Sequence, residues 1–258
     1  MRLMKKFWGA AAALALSASL LVGCSSGTAS SVPVSASSAA ESTVSSVEET
    51  ASSAVDENKA AAAQLLNDLT GSYQELWPVI LADEYKQTWL DDCTALVGED
   101  NAEAAFEKLS SMVTGDVYGE DAVKAYANGG GAYFCGFTNS LATLTFDGET
   151  STISGTDKDG NVLFSHTYHY IGMEPVRGLY EFESDDADSG EFTYFFLAPD
   201  TSAETYHIEF RYGSDADALS QYDAGDYAYW LASGISTDCD QTMIDNCIEL
   251  FCTENLAG

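Results

Sequence analysis

Residues 141–154, LATLTFDGETSTIS, contain two runs of alternating apolar and polar residues separated by Asp147-Gly148. Alternation with a period of two is typical of a β-strand with one buried face. An Asp-Gly pair between two such runs indicates a hairpin. Because so short a connection joins only antiparallel neighbours, this stretch predicts an antiparallel sheet.

Strand patterns continue on both sides of this hairpin, with turn signals between them. The predicted strands cover residues 132–138, 141–146, 150–154, 162–171, 179–183, 192–197 and 206–212. A meander of such strands hides its edges by closing on itself. We therefore expect a closed or nearly closed antiparallel barrel.

Helical spacing of apolar residues dominates the chain before Gly129 and returns after the last strand pattern. The predicted helices cover residues 56–69, 73–90 with an interruption at Pro78, 101–113, 119–127, 215–222 and 240–254. The predicted fold class is therefore α+β, mainly antiparallel β, with N-terminal helices before the barrel and a C-terminal helix after it.

Residues 1–23 have the features of a bacterial lipoprotein signal peptide. A basic segment precedes an uncharged apolar run at residues 8–22, and this run is shorter than the roughly 20 residues that span a bilayer as a mature helix. Leu21-Val22-Gly23-Cys24 resembles the lipobox of bacterial lipoproteins, which implies lipidation of Cys24 and anchoring to the extracytoplasmic face of the cell membrane. Ordinary secretory cleavage is the alternative.

The rest of the chain divides by composition into a tether and a domain. Residues 24–54 are rich in serine and poor in bulky apolar residues, a composition typical of a disordered tether. Residues 55–258 are long enough to form one domain with a full core.

The charge balance is strongly acidic, with 10 Lys and Arg against 41 Asp and Glu and a formal net charge of −31. A surface this acidic repels nucleic acid, so we expect no nucleic-acid partner. The sequence carries neither a G-x-S-x-G nor an H-E-x-x-H motif. Since no other signature of catalysis is present, we do not expect an enzyme.

Five cysteines follow Cys24, and their pairing is open. They are Cys93, Cys135, Cys239, Cys247 and Cys252, and none forms a CxxC motif. A cysteine-based zinc finger is therefore not expected. An odd number leaves at least one thiol unpaired within the chain.

His207 and Glu209 are candidate metal ligands on the last predicted strand. Two residues apart, they share one face, with Cα atoms about 6.6 Å apart. An imidazole nitrogen and a carboxylate oxygen that bind zinc at about 2.0–2.2 Å bridge that distance. In the alternative interpretation they are the polar side of the strand, with Glu209 paired to Arg211.

The other two histidines, His166 and His169, are three residues apart and therefore point to opposite faces of a regular strand. They do not chelate one ion together. We expect one to face the barrel interior and the other to face solvent.

Three segments of the chain resemble the ZinT-type zinc-binding family. Residues 67–81, 166–182 and 206–215 follow, in order, its patterns D-W-x-G-x-W-Q-S-x-Y-P-x-L, H-x-Y…R-G-V-x-Y-L-F-E and H-F-H-I-x-x-G-N-D. The resemblance implies a calycin, or lipocalin-like, β-barrel with added helices. It also implies binding and delivery of zinc outside the cytoplasm, often to an uptake transporter.

The resemblance also implies a ligand set. Three histidines hold the metal in that family, and its H-x-H pair falls on His207 and Glu209 of this chain. The third histidine falls on Ala198, which cannot bind a metal. Asp200 is the candidate replacement, and Glu204 is a second one.

The sequence therefore predicts an extracytoplasmic, membrane-anchored lipoprotein that binds a divalent metal ion, Zn²⁺, for scavenging or for delivery to a metal-uptake transporter. The predicted ligands are His207, Glu209 and Asp200. The alternative is a metal-free calycin module that binds a small ligand or a partner protein through an aromatic-rich barrel mouth.

Overall fold

The structure is a computed structural model that describes residues 57–199 and 207–257. Its strands are β1 Gly71–Glu75, β2 Thr143–Asp147, β3 Thr152–Thr156, β4 Val162–Met173, β5 Tyr180–Ser184, β6 Tyr194–Leu197, β7 His207–Gly213 and β8 Ala232–Ser236. Its α-helices are α1 57–68, α2 Leu76–Ile80, α3 Lys86–Val97, α4 Glu99–Ser111, α5 Glu120–Ala127, α6 Ala216–Leu219 and α7 Gln241–Leu256. Short 3₁₀ turns cover Asp83–Tyr85 and Gly190–Phe192.

The strands form a closed barrel in which every neighbouring pair is antiparallel. Strand order follows chain order, and the barrel closes where β1 meets β8, with Tyr73 opposite Ser236. This is the up-and-down arrangement of lipocalins, so the predicted fold class is confirmed. Within the described part of the chain, no helix has both the length and the apolar character needed to cross a membrane.

The hairpin between β2 and β3 has the predicted antiparallel pairing and a turn shaped by Asp147 and Gly148. The Asp147 carboxylate accepts the backbone N–H groups of Glu149 and Thr150 at 3.1 and 3.3 Å. Gly148 lies against the end of α1, where a Cβ atom would meet Asn67 Cα at 2.4 Å. A larger residue would push the hairpin and the helix apart.

The helix predicted over 73–90 is wrong at its beginning, because β1 occupies part of it. Tyr73 is buried with the barrel core and pairs with β2 on one side and β8 on the other. Within residues 73–90, the helical spacing of apolar residues corresponds to α2 and the beginning of α3. Closure of the barrel overrides local propensity here, since β1 supplies the pairing that both neighbouring strands need.

The strand predicted over 132–138 is also wrong. Phe134 makes only isolated bridges, to Thr114 and Trp230, and the position beside β2 is taken by β1. Besides β1, the strand that was not predicted is β8, whose sequence ASGIS is short and has few large residues. Its small residues gave too weak an alternation to be recognised.

Two apolar clusters lie on opposite sides of the barrel wall. Aromatic rings fill the interior, among them Phe195, Phe210 and Tyr212, which are fully buried. The second cluster lies outside the wall, where α2, α3, α4 and α7 pack together and against Ile235 of β8. The candidate site lies on this outer side.

Candidate metal site

β7 presents His207 and Glu209 to the outside of the barrel. Ile208 and Phe210 alternate with them and are buried in the interior cluster. On the neighbouring strand, Glu209 lies opposite Ser233, and His207 lies opposite Ile235, which belongs to the outer cluster. The predicted sharing of one strand face is therefore confirmed.

Helices α2 and α7 cover this part of the outer wall. Asp240 is the N-cap of α7. Its carboxylate accepts the backbone N–H of Met243 at 3.0 Å, which stabilises the start of the helix. Its buried residues recur at helical spacing, and Phe251 packs edge-on against Trp77 of α2 with ring centroids 4.7 Å apart. The packing of these two rings fixes α7 over the face that carries His207.

His207 and Glu209 line one small cavity of about 30 Å³ between β7 and the two helices. Cys247 and Glu254 of α7 line the same cavity. A volume of roughly 10–15 Å³ already holds a water molecule, so the cavity has room for an ion. Within residues 57–199 and 207–257, no cluster of three or more His, Cys, Asp or Glu side chains is arranged to hold a metal.

The third predicted ligand, Asp200, and its alternative, Glu204, lie outside the described residues. The backbone immediately before them is described: the Ala198 N–H donates to the Glu209 carbonyl at 2.9 Å. The chain thus passes alongside Glu209 two residues before Asp200. The proposed set of His207, Glu209 and Asp200 stays a prediction.

Arg211 is buried in the structure. The alternative interpretation instead placed it beside Glu209 on the polar side of the strand, facing solvent. Its side chain is 0 % exposed, and its guanidinium donates to the carbonyl oxygens of Leu219, Gln221 and Tyr227. It also lies over the Tyr222 ring at 4.4 Å. Burial lowers the pKa of Arg211 to about 10. Arg211 therefore fastens the segment after β7 to the barrel wall.

His166 and His169 lie on opposite faces of β4, as predicted. His166 is on the side of the buried Phe164 and Tyr168, with its side chain 16 % exposed, and its Nδ1 lies 2.8 Å from the Asp186 carboxylate. His169 is on the other side, 52 % exposed, with Nδ1 2.8 Å from the Asp185 carboxylate. Each histidine is thus held by its own aspartate on the loop after β5.

Sequence reasoning missed the contribution of α7 to the site. Cys247, Leu250, Phe251 and Glu254 all line the cavity, and their positions follow the i, i+3, i+4, i+7 pattern of one helix face. That pattern was visible in the sequence, but nothing in it indicated which strand the face would cover. Burial raises the pKa of the Cys247 thiol to about 12.

All five cysteines among the described residues are free thiols. Cys93 of α3 and Cys252 of α7 approach each other, with their Sγ atoms 3.9 Å apart. Both are fully buried in the outer cluster. Burial raises the pKa of each thiol, which favours the protonated form.

Solved structures that are similar to this chain include two from Streptococcus pneumoniae. The Zn(II)-bound ZinT-like domain of Streptococcus pneumoniae AdcA is 15% identical, with 71% of this chain and 89% of that chain covered and a TM-score of 0.46. The Zn(II)-bound AdcA of the same organism is 16% identical, with 72% of this chain and 35% of that chain covered and a TM-score of 0.42. The chain therefore spans about a third of the length of that second protein.

No protein-family model and no curated protein matches the chain.

Proposed function

We propose that this protein is an extracytoplasmic, membrane-anchored lipoprotein that binds a divalent metal ion, Zn²⁺, for scavenging or delivery. The observation that carries the proposal is the position of His207 and Glu209 on the outer face of β7, where both line one small cavity beneath α2 and α7. Imidazole and carboxylate are donors that suit zinc.

The cavity favours a bound ion over an organic ligand. Its volume of about 30 Å³ holds one ion together with a water molecule, and α7 forms one of its walls. We assign the third donor to Asp200, because it follows Ala198, the residue hydrogen-bonded to Glu209, by two positions. A water molecule would fill the remaining position and would leave it exchangeable, as delivery requires.

Zinc titration calorimetry on the purified chain tests this site. Wild type binds zinc, His207→Ala abolishes binding, and His166→Ala leaves it intact, because His166 lies on β4 and contacts Asp186 of the loop after β5. The imidazole must be unprotonated to bind metal, so affinity falls as pH drops through about 6, where histidine ordinarily protonates. Equal zinc uptake by wild type and His207→Ala would place the site elsewhere.

The anchoring part of the proposal rests on residues 1–54, which lie outside the described residues. Its support is the order of basic, apolar and lipobox segments ending at Cys24. Palmitate labelling in cells checks it: the wild type is labelled and recovered with membranes, and Cys24→Ser is not. An unlabelled wild type, or unchanged membrane retention of Cys24→Ser, would rule out lipidation at this residue.

The alternative, a metal-free module that binds a small ligand or a partner protein through an aromatic-rich barrel mouth, has less support. The rings of Phe195, Phe210 and Tyr212 stack in the interior, with centroids 5.3–6.4 Å apart. The space that a lipocalin-like barrel offers to a ligand is filled here by these side chains.

A further inference from the structure

Two thiols, Cys93 of α3 and Cys252 of α7, face each other where these helices pack together. Their Sγ atoms are 3.9 Å apart, and both side chains are 0 % exposed. The two residues are 159 positions apart in the chain, so the packing of the helices brings them together. A disulfide joins its sulfur atoms at about 2.0 Å, and each sulfur would have to move by about 1 Å to reach that distance.

A pair of aromatic rings fixes the two helices at this place. Trp89 of α3 packs edge-on against Phe251 of α7, with ring centroids 5.9 Å apart. The Trp89 indole N–H donates to the Ile80 carbonyl oxygen at 2.7 Å. Trp89 lies one helical turn before Cys93, and Phe251 directly precedes Cys252. Because both rings are buried in the outer cluster, they hold the two thiols in register.

Acidic side chains beside the cysteine pair oppose this packing. Burial raises the pKa of the Asp92 carboxyl group on α3, and the negative charges of Glu249 and Asp245 on α7 raise it further. Like charges on two packed helices repel each other. A covalent link between Cys93 and Cys252 would hold α7 against α3 despite that repulsion.

We propose that Cys93 and Cys252 form a disulfide bond that fastens α7 to α3. A disulfide oxidant accepts the two electrons. Its S–S bond breaks, the new Sγ–Sγ bond forms, and the two thiol protons end on the two thiols that the oxidant releases. Extracytoplasmic compartments hold such oxidants, and the proposal rests on the location given under the proposed function for this source of oxidant alone.

The link forms before α7 is fully docked. An oxidant does not reach a thiol that has no exposed surface, so exchange begins on the folding chain or on a locally opened state. When α7 packs, the second thiol attacks the mixed disulfide and closes the bond. Phe251 and Glu254 of α7 line the candidate metal cavity, so the link also fixes one wall of that cavity.

Disulfide mapping on the purified full-length chain tests the proposal. The reduced, unfolded chain is refolded with a mixture of reduced and oxidised glutathione, unfolded again in denaturant, and alkylated at its remaining thiols. A protease that cleaves after glutamate separates Cys252 from Cys247, because Glu249 lies between them. Mass spectrometry finds Cys93 linked to Cys252, and the other three cysteines of the described residues carry the alkyl group.

Thermal unfolding gives a second readout. Wild type refolded with the glutathione mixture unfolds about 5 °C or more above wild type refolded in dithiothreitol, as expected for a cross-link that closes a long loop. The double variant Cys93→Ala, Cys252→Ala shows no such difference. The matched control Cys239→Ala, at a half-buried thiol before α7, keeps it. Each variant is compared with itself, so the packing lost with a side chain does not enter the difference.

The mapping uses wild type and decides alone if the double variant does not fold. Free Cys93 and Cys252 in refolded wild type, a link of either thiol to another cysteine, or a thermal difference that persists in the double variant would each overturn the proposal. Zinc calorimetry on the linked protein tests the proposed function separately. A linked chain that binds no zinc supports the disulfide and contradicts zinc binding, and a chain that binds zinc with both thiols free does the reverse.

Discussion

The two faces of β7 differ in what they contain. The inner face contributes Ile208, Phe210 and Tyr212 to a packed aromatic interior, whereas the outer face carries His207 and Glu209 beside two cavities. One strand thus separates the packed interior from the proposed metal site. In this barrel, side chains fill the interior, and the cavities beside β7 lie between the outer wall and the helices.

The largest effect is expected from the inner face. Phe210→Ala removes a fully buried ring that packs on Phe137 at 5.3 Å, so the free energy of unfolding falls by about 3–5 kcal/mol. Urea denaturation measures the change. The control Val162→Ala, at a residue that is 69 % exposed, stays within about 0.5 kcal/mol of wild type. If Phe210→Ala lowered the free energy of unfolding as little as Val162→Ala does, the interior would not be closely packed.

Arg211 points to the same outer face of β7 as Glu209, but its side chain is buried. Arg211→Ala leaves the carbonyl oxygens of Leu219, Gln221 and Tyr227 without their donor, at a cost of about 2–3 kcal/mol. Zinc affinity stays unchanged, since its guanidinium donates to the following segment and not to the metal site. Urea denaturation and calorimetry on the same variant check both parts. A loss of zinc binding in the folded variant would make Arg211 part of the site.

A smaller effect, on affinity, is expected from Glu209. Glu209→Gln keeps the shape of the side chain and removes its charge, so zinc affinity falls by at least about tenfold, or about 1.4 kcal/mol. The matched control is Glu183→Gln on β5, where the carboxylate accepts from the Tyr194 hydroxyl and lies 3.8 Å from His169. If the two variants lose zinc equally, metal binding is a property of the acidic surface as a whole.

The smallest effect is expected in the turn between β3 and β4, far from both cavities. The Asp157 carboxylate accepts the backbone N–H groups of Asp159 and Asn161, each at 2.9 Å. These bonds and the Asn161 side chain hold the pKa of Asp157 below its usual value of 3.8. Because the pKa is lower in the folded state, the ionised Asp157 carboxylate stabilises the fold at pH values above 3.8. This stabilisation is lost as the pH falls through the folded-state pKa.

Asp157→Ala therefore lowers the urea midpoint slightly at neutral pH, and its difference from wild type shrinks in acid. The neighbouring Asp159→Ala is the control, because that carboxylate contacts only the exposed Lys158 in this turn. A difference that grows in acid would contradict the assigned pKa direction.

The sequence predicted those parts of the fold whose signals are local. The hairpin at Asp147-Gly148, the long strand β4 and the C-terminal helix all carry their periodicity within a few turns of chain. β1 and β8 were missed because their pairing is set by closure between distant segments. Likewise, alternation placed His207 and Glu209 on one face, but the helix that covers them is recognised only in three dimensions.

A cavity of about 180 Å³ beside the candidate metal site illustrates the same limit. Its lining residues include Trp77 of α2, Lys108 of α4 and Arg177 of the turn between β4 and β5, which lie far apart in the chain. No local sequence pattern indicates that these three elements line one cavity.

Anomalous diffraction at the zinc edge, on crystals of the purified protein grown with zinc, locates the bound metal directly. We expect one strong peak on the outer face of β7, within about 2.0–2.2 Å of a His207 nitrogen and a Glu209 oxygen. A peak between His166 and Asp186, or between His169 and Asp185, with none at His207, would contradict it.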